Sequence, residues 1–91
     1  MYTIIHSHQF KKSFKRHTRS GSFHIEKLKQ VIRILESGQS LPSHNKNHPL
    51  KGNWNGYWEC HIEYDFLLVY EIDGPLLTLV DIGSHAYIFG M

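Results

Sequence analysis

The chain has 91 residues, 41% hydrophobic and 13% aromatic with three prolines, a composition that excludes a disordered tail and supplies one modest core, so residues 1–91 read as a single domain. Ten Lys and Arg against eight Asp and Glu give a formal charge of +2 with all eight histidines neutral, a balance that admits a polyanionic partner without requiring one. No apolar run approaches the roughly 18–20 residues that span a bilayer, and residues 1–5 are too short for a secretory core, so a cytoplasmic protein with no membrane partner is expected.

Residues 2–5 are compatible with a short strand, and Ser7 is placed to cap a helix over 8–18. Phe10 and Phe14, four apart, share a face of that helix, while Lys11, Lys12, Lys15, Arg16 and Arg19 point mostly elsewhere. Ser20, Gly21 and Ser22 interrupt the pattern. Over 23–36 the apolar residues Ile25, Leu28, Val31, Ile32 and Leu35 recur at three and four, which predicts a second amphipathic helix ending at Gly38. A polar stretch from Pro42 to about Asn55 reads as a long loop, of a length that is usually functional or disordered. Strand signals follow over 57–63, 66–72 and 76–82, and connections of two or three residues between them force antiparallel hairpins. The order β-α-α-loop-β-β-β predicts an α+β domain, a helical hairpin packed on a small twisted antiparallel sheet.

Alternation in the first of these hairpin strands puts Trp58, Cys60 and Ile62 on one face and Tyr57, Glu59 and His61 on the other. If the helices cover the apolar face, His61 projects from the open one. Cys60 is the single cysteine, which excludes an internal disulfide and predicts a buried, inert thiol.

Imidazole is the one side chain whose ordinary pKa, about 6.5, lets it accept and donate a proton near neutral pH. His48, His61 and His85, with Asp65, each stand beside a turn or near the chain end, and Lys46 and Lys51 flank His48. RNA cleavage without a metal needs a base for the ribose 2′-hydroxyl, an acid for the departing 5′-oxygen and positive groups around the phosphorus, and this inventory contains all three. Each residue also has a plainer reading. His48 before Pro49 can shape an extended loop, His61 can be a solvated strand residue, and Asp65 can simply form its turn. His85 can be a local cap and Phe89 an apolar plug. The same histidines with Asp65 resemble a metal set by residue type, but no H-E-x-x-H, paired cysteine or tight spacing on one element accompanies them, so no metal is assigned. Five bases among residues 11–19, without an acid between them, favour phosphate contact over a merely solvated face.

The stretches Lys46-Asn47-His48-Pro49-Leu50-Lys51-Gly52-Asn53-Trp54-Asn55-Gly56-Tyr57, Cys60-His61-Ile62-Glu63-Tyr64-Asp65-Phe66-Leu67-Leu68-Val69-Tyr70 and Ile82-Gly83-Ser84-His85-Ala86-Tyr87-Ile88-Phe89, in this order, resemble the YafQ-type toxins of the RelE superfamily. The resemblance covers the second half residue by residue and the first half in element order, since the family fold is β-α-α-β-β-β. It implies a toxin of a type II toxin-antitoxin system that cleaves mRNA in the ribosomal A site, with no cofactor. His48, His61, Asp65 and His85 match the family's catalytic positions. Phe89 matches an active-site aromatic and Phe66 a position where relatives often carry Trp. His85 is the expected acid and His48 or Asp65 the base, with His61 on the phosphate. Lys46, Lys51 and the five bases of the first helix are the expected substrate contacts. Implied partners are a RelB- or DinJ-like antitoxin, the ribosome and its mRNA, and operator DNA only through the antitoxin complex. Alternatives are a ParE-like gyrase-binding toxin, which lacks the three histidines, and a catalytically silent RNA-binding module. Asp81 departs from the Arg that relatives often carry there; bordering the site it would oppose phosphate binding, and strand alternation groups it with Leu77 and Leu79.

Overall fold

Ser7 opens the first helix: its backbone is extended and its Oγ accepts the Phe10 N–H at 3.0 Å, a donor that no helical carbonyl can reach. The computed structural model describes residues 1–21 and 23–90; Ser22, part of the expected break, lies outside them. The elements are β1 (Thr3–His6), α1 (His8–Ser20), α2 (Ile25–Ser37), β2 (His48–Pro49), β3 (Trp58–Glu63), β4 (Phe66–Asp73), β5 (Leu76–Gly83) and α3 (His85–Phe89). The sheet runs β1-β5-β4-β3-β2, with β1 parallel to β5 and every other pairing antiparallel. Among the described residues no helix is long and apolar enough to cross a membrane.

The periodic positions do what their spacing predicts. Phe10 of α1 and Leu28, Val31 and Leu35 of α2 pack with Cys60, Ile62, Phe66, Leu68, Tyr70, Leu77, Leu79 and Ile82 of the sheet in one apolar core. Gly38 ends α2 in the left-handed region (φ 83°), a conformation that costs a residue with a Cβ, and its N–H returns to the Leu35 carbonyl. Cys60 is fully buried, and burial first, then the Glu59 charge, pushes its thiol up to about 12, so it is protonated and inert.

Two elements have no counterpart in the sequence pattern. β2 is two residues long and contains a proline, and α3 is five residues long, both too short to carry a period. The stretch before β2 is held by side chains instead. Asn45, buried, donates from Nδ2 to the His61 carbonyl at 2.7 Å, and the Tyr70 hydroxyl donates to Asn47 Oδ1 at 2.6 Å. Leu50 N–H then closes on the Tyr57 carbonyl at 2.9 Å, and the expected loop becomes an edge strand.

β5 departs from simple alternation. Asp81 pairs with Val69 but Leu79 pairs with Tyr70, which leaves Val80 as an extra residue. Ser7 Oγ donates to the Val80 carbonyl at 2.8 Å, so one serine both caps α1 and holds the bulge. The slip lets Ile82 join Leu77 and Leu79 in the core, and Asp81 leaves the set that strict alternation assigns it.

Glu63 ties the end of β3 to the start of α2. Its Oε2 accepts the N–H of His24, the residue before α2, at 3.0 Å, and its Oε1 lies 2.8 Å from His24 Nδ1 and 3.4 Å from Lys27 Nζ. The His24 backbone bond is the largest cause holding this carboxyl at about 2, below its ordinary 4.5. A depressed carboxyl contributes stability above its unfolded pKa and loses it as pH falls through the folded one. Glu63→Gln is expected to lower stability by about 1 kcal/mol at neutral pH, with urea curves of the two proteins converging as pH drops from 4.5 toward 2; a gap that persists at the acid end would contradict this.

Candidate active site

β2 pairs with β3 so that His48 stands opposite Glu59. Alternation along β3 sends Cys60 and Ile62 into the core, and Glu59 and His61 to the other face. The turn after β3 places Asp65 in a left-handed conformation (φ 50°), where it meets α3. Ser84 caps α3 by accepting the Tyr87 N–H, and His85 is the helix's first residue. Three separated segments thus bring three imidazoles and two carboxylates together.

Glu59 is the centre of the group. It is 4% exposed, and its Oε1 lies 3.4 Å from His48 Nε2, 3.7 Å from His61 Nε2 and 3.6 Å from His85 Nε2. Composition and motif order do not single it out. The one signal in the sequence is its place two residues before His61 on the open face of β3.

The other nitrogen of two rings is committed elsewhere. His48 Nδ1 lies 2.7 Å from the Lys46 carbonyl, and a carbonyl can only accept, so Nδ1 carries the proton. His85 Nδ1 lies 2.8 Å from Asp65 Oδ1, which also accepts the His85 backbone N–H at 3.0 Å. In their neutral forms both rings therefore present a bare Nε2 toward Glu59 and the cleft. The two bonds from His85, backbone first, hold Asp65 below the usual carboxylate range. The same two bonds fix the His85 ring against the β3–β4 turn.

His61 is half-buried and its pKa lies below 6.5, with desolvation the largest cause. Glu59 opposes that shift, while Lys46, His85 and His48 add to it. A cavity of about 180 Å³ beside these groups is lined by Lys46, His61, Tyr64, Asp65 and His85. Phe89 reaches the cluster, its ring centroid 6.2 Å from that of His85 and 5.1 Å from that of Trp54.

Other expected residues lie apart. Phe66 is 6% exposed, stacked on Phe23 with centroids 4.5 Å apart and met edge-on by His17. Its position opens the hairpin strand toward the helices, so it fills the core and has no face free for a base. Lys51 is exposed at the start of a short 3-10 turn, and no contact joins it to the imidazoles. Lys11, Lys12, Lys15, Arg16 and Arg19 are all exposed on α1, within an arc of about 140° at helical spacing. Arg16 lies over the Tyr87 ring of α3 at 5.5 Å. Asp81 is 7% exposed and accepts from Ser13 Oγ of α1 at 2.5 Å.

One ligand atom each from Glu59, His61 and His85 lies within 4.8 Å of the others. Two imidazoles and a carboxylate suit a transition metal, so the fold gathers donors that the sequence spacing keeps apart.

Helices behind one face of a mostly antiparallel sheet, with imidazoles and carboxylates gathered from β2, β3 and α3, define an α+β toxin fold with a nuclease-like cleft. The sequence model of the family described as bacterial toxin of type II toxin-antitoxin system, YafQ, matches residues 2–90, and the chain belongs to that family. The mRNA interferase toxin YafQ of Escherichia coli (strain B / BL21-DE3) is 35% identical over 88 residues, covering 96% of this chain and 95% of that protein. The crystal structure of the E. coli DinJ-YafQ complex matches with a TM-score of 0.88 at 34% identity, over 99% of this chain and 100% of that one. A copper-bound mutant toxin from Helicobacter pylori matches with a TM-score of 0.93 at 34% identity, over 98% of this chain and 100% of that one.

The opposing influences on His61 can be separated. In NMR titrations Glu59→Gln is expected to lower the His61 pKa further, and Lys46→Ala to raise it toward 6.5. Movement of either in the opposite sense would show that the charges around this ring are misassigned.

Proposed function

We propose that this chain, as a single domain over residues 1–91, is an mRNA interferase: an endoribonuclease that cuts mRNA in the ribosomal A site and so stops translation. The observation that carries the reading is the pinned pair of rings, with Nδ1–H of His48 held by the Lys46 carbonyl, Nδ1–H of His85 held by Asp65, and both Nε2 atoms turned to one carboxylate. Such an arrangement fixes which nitrogen takes or gives the proton.

In the reaction His48 Nε2 removes the 2′-hydroxyl proton, O2′ bonds to phosphorus, and the bond from phosphorus to O5′ breaks as protonated His85 supplies a proton to O5′. The products are a 2′,3′-cyclic phosphate and a 5′-hydroxyl. Glu59 stabilises the imidazolium state, and Lys46 and His61 stabilise the charge gathered on the phosphoryl oxygens. Asp65 orients His85. Phe89, braced by Trp54, offers a ring against which a base can stack.

The buried bond of Asp81 to Ser13 takes that acid out of the cleft, which removes the reason for favouring a catalytically silent module. The clustered imidazoles likewise favour a nuclease over a gyrase-binding toxin. The expected partners are the ribosome with its mRNA and a DinJ-like antitoxin, with operator DNA bound only through the antitoxin complex. The expected location is the cytoplasm.

Glu59, His61 and His85 also support a second role for the same atoms, since a relative's structure is copper-bound. A metal there would occupy the lone pairs that the acid-base reaction uses, and in the proposed reaction it is dispensable.

Cleavage on translating ribosomes, read by primer extension, tests the reading. His85→Ala is expected to fold and to cut about 10² to 10⁴-fold more slowly. Toxin stripped with EDTA should keep its activity once the magnesium that ribosomes need is restored. Normal cutting by folded His85→Ala would remove that ring from the mechanism, and activity that returns only with copper or zinc would replace this reading by the metal one.

The basic face of α1 is a proposed contact to ribosomal RNA. Replacing Lys11, Lys12 and Lys15 with Ala should weaken ribosome binding and flatten its salt dependence by up to about 0.9 for each phosphate no longer neutralised, the duplex value. An unchanged slope would make the face a solvated one.

A further inference from the structure

His85 sits on a helix of five residues, α3, far below the length at which a helix persists alone. Whatever fixes α3 therefore fixes His85. Asp65 holds it from the side of the cleft. A second set of contacts, none of them part of the cleft, holds it from the opposite end.

Tyr87 lies across Gly83, where an added Cβ would come within 2.5 Å of its ring carbon Cδ2 and where φ is 152°. Glycine at this position lets the ring lie flat on the end of β5. The ring is met edge-on by His17 at 4.9 Å and covered by Arg16 at 5.5 Å. Its hydroxyl lies 3.0 Å from Ser13 Oγ. Ser13 is fully buried, and it has one proton to give. A carboxylate can only accept, so that proton goes to Asp81 Oδ1, at 2.5 Å. Toward Tyr87 the serine oxygen must then accept, and Tyr87 donates. The chain has one direction, from Tyr87 hydroxyl to Ser13 hydroxyl to Asp81. Asp81 Oδ1 is itself held by the Ile82 N–H at 2.9 Å, beside the bulge that Ser7 fixes through Val80.

We propose that Asp81, acting through Ser13 and Tyr87, is a positioning residue for His85: the buried carboxylate sets the direction of the hydroxyl chain, which docks α3 on α1 and β5 and aims the His85 ring. This rests on His85 being the proton donor of the proposed reaction. It also gives Asp81 a role away from the cleft. An arginine here would bring a second set of donors to a serine whose proton already needs an acceptor, and the positive charge would be buried beside Ile82.

Tyr87→Phe removes one hydroxyl and keeps the ring, so it isolates the chain from gross packing. On translating ribosomes its kcat is expected to fall roughly tenfold to a hundredfold, the scale of a misplaced catalytic group, with KM for ribosomes unchanged. In a His85→Ala background the same substitution should have no further effect. Asp81→Asn keeps an acceptor oxygen for Ser13 and should retain kcat close to wild type, whereas Asp81→Leu, which has none, should match Tyr87→Phe. Nitrogen-15 NMR gives a readout independent of cleavage: the Nδ1-protonated fraction of His85 should fall in Tyr87→Phe while that of His48 stays as in wild type. A folded Tyr87→Phe with wild-type kcat and an unchanged His85 tautomer would overturn the proposal, and so would a kcat loss that persists in full without His85. If His85→Ala cuts normally while the tautomer still shifts, the clamp stands and the catalytic assignment of His85 falls.

Discussion

A buried carboxylate sets the terms for the cleft. Glu59 is 4% exposed, and an ionised carboxylate taken out of water is costly unless positive or hydrogen-bonding groups replace the solvent. Three imidazole Nε2 atoms face it at 3.4 to 3.7 Å, from β2, β3 and α3, and each replaces solvent there only when it carries a proton. His61 shares β3 with Glu59 while His48 and His85 come from other elements, so bringing all three to Glu59 requires β2 to pair and α3 to dock. The arrangement also couples charge states. Glu59 favours a proton on His61, while Lys46, His85 and His48 oppose one. Acid-base cleavage needs one ring protonated and another bare.

The elements around the cleft differ in how readable they are. α2 carries several turns of apolar spacing and α1 the Phe10 and Phe14 pair, each with a cap at a chemically defined residue, so their type and ends follow from Ser7, Gly38 and the core positions. β3, β4 and β5 follow from their apolar runs and the short turns between them. β2 and α3 are specified by single side chains instead: Asn45 on the His61 carbonyl, Tyr70 on Asn47, Ser84 on the Tyr87 N–H. These bonds join residues distant in sequence or lie within one turn, and no period records them. A stretch that reads as a long loop therefore hides the strand that carries His48.

The site residues divide on the same line. His48, His61, Asp65 and His85 come together as their motifs suggest, because each motif lies at the end of a well-specified strand or pairs with one. Glu59 carries no motif of its own, although alternation places it beside His61, and a lone glutamate in a strand attracts no functional reading. Phe66 has the aromatic type of a platform, and only the stacking on Phe23 reveals that it serves the core. For Asp81, counting twos along β5 groups it with Leu77 and Leu79, but the register slips before it is reached. The extra residue at Val80 invalidates that count, and a bulge held by a serine 73 positions away leaves no local trace.

The pinned Nδ1 protons of His48 and His85 bear on the competition between proton and metal. An imidazole whose Nδ1–H is held by a carbonyl or carboxylate has one lone pair left, on Nε2, and that orientation also favours metal binding. The features that prepare His85 to handle a proton thus prepare it to bind a metal ion, together with His61 and Glu59. Occupation by one excludes the other at the same atom. Glu59 strengthens both, since its charge favours an imidazolium and a cation alike. In the proposed reaction His48 sets proton transfer apart from ligation, since its Nε2 shares Glu59 but is not among the three residues whose ligand atoms converge. A cleft selected for ligation alone has no need to aim that fourth side chain at the same carboxylate, whereas two-step proton transfer needs a second ring with its working nitrogen free.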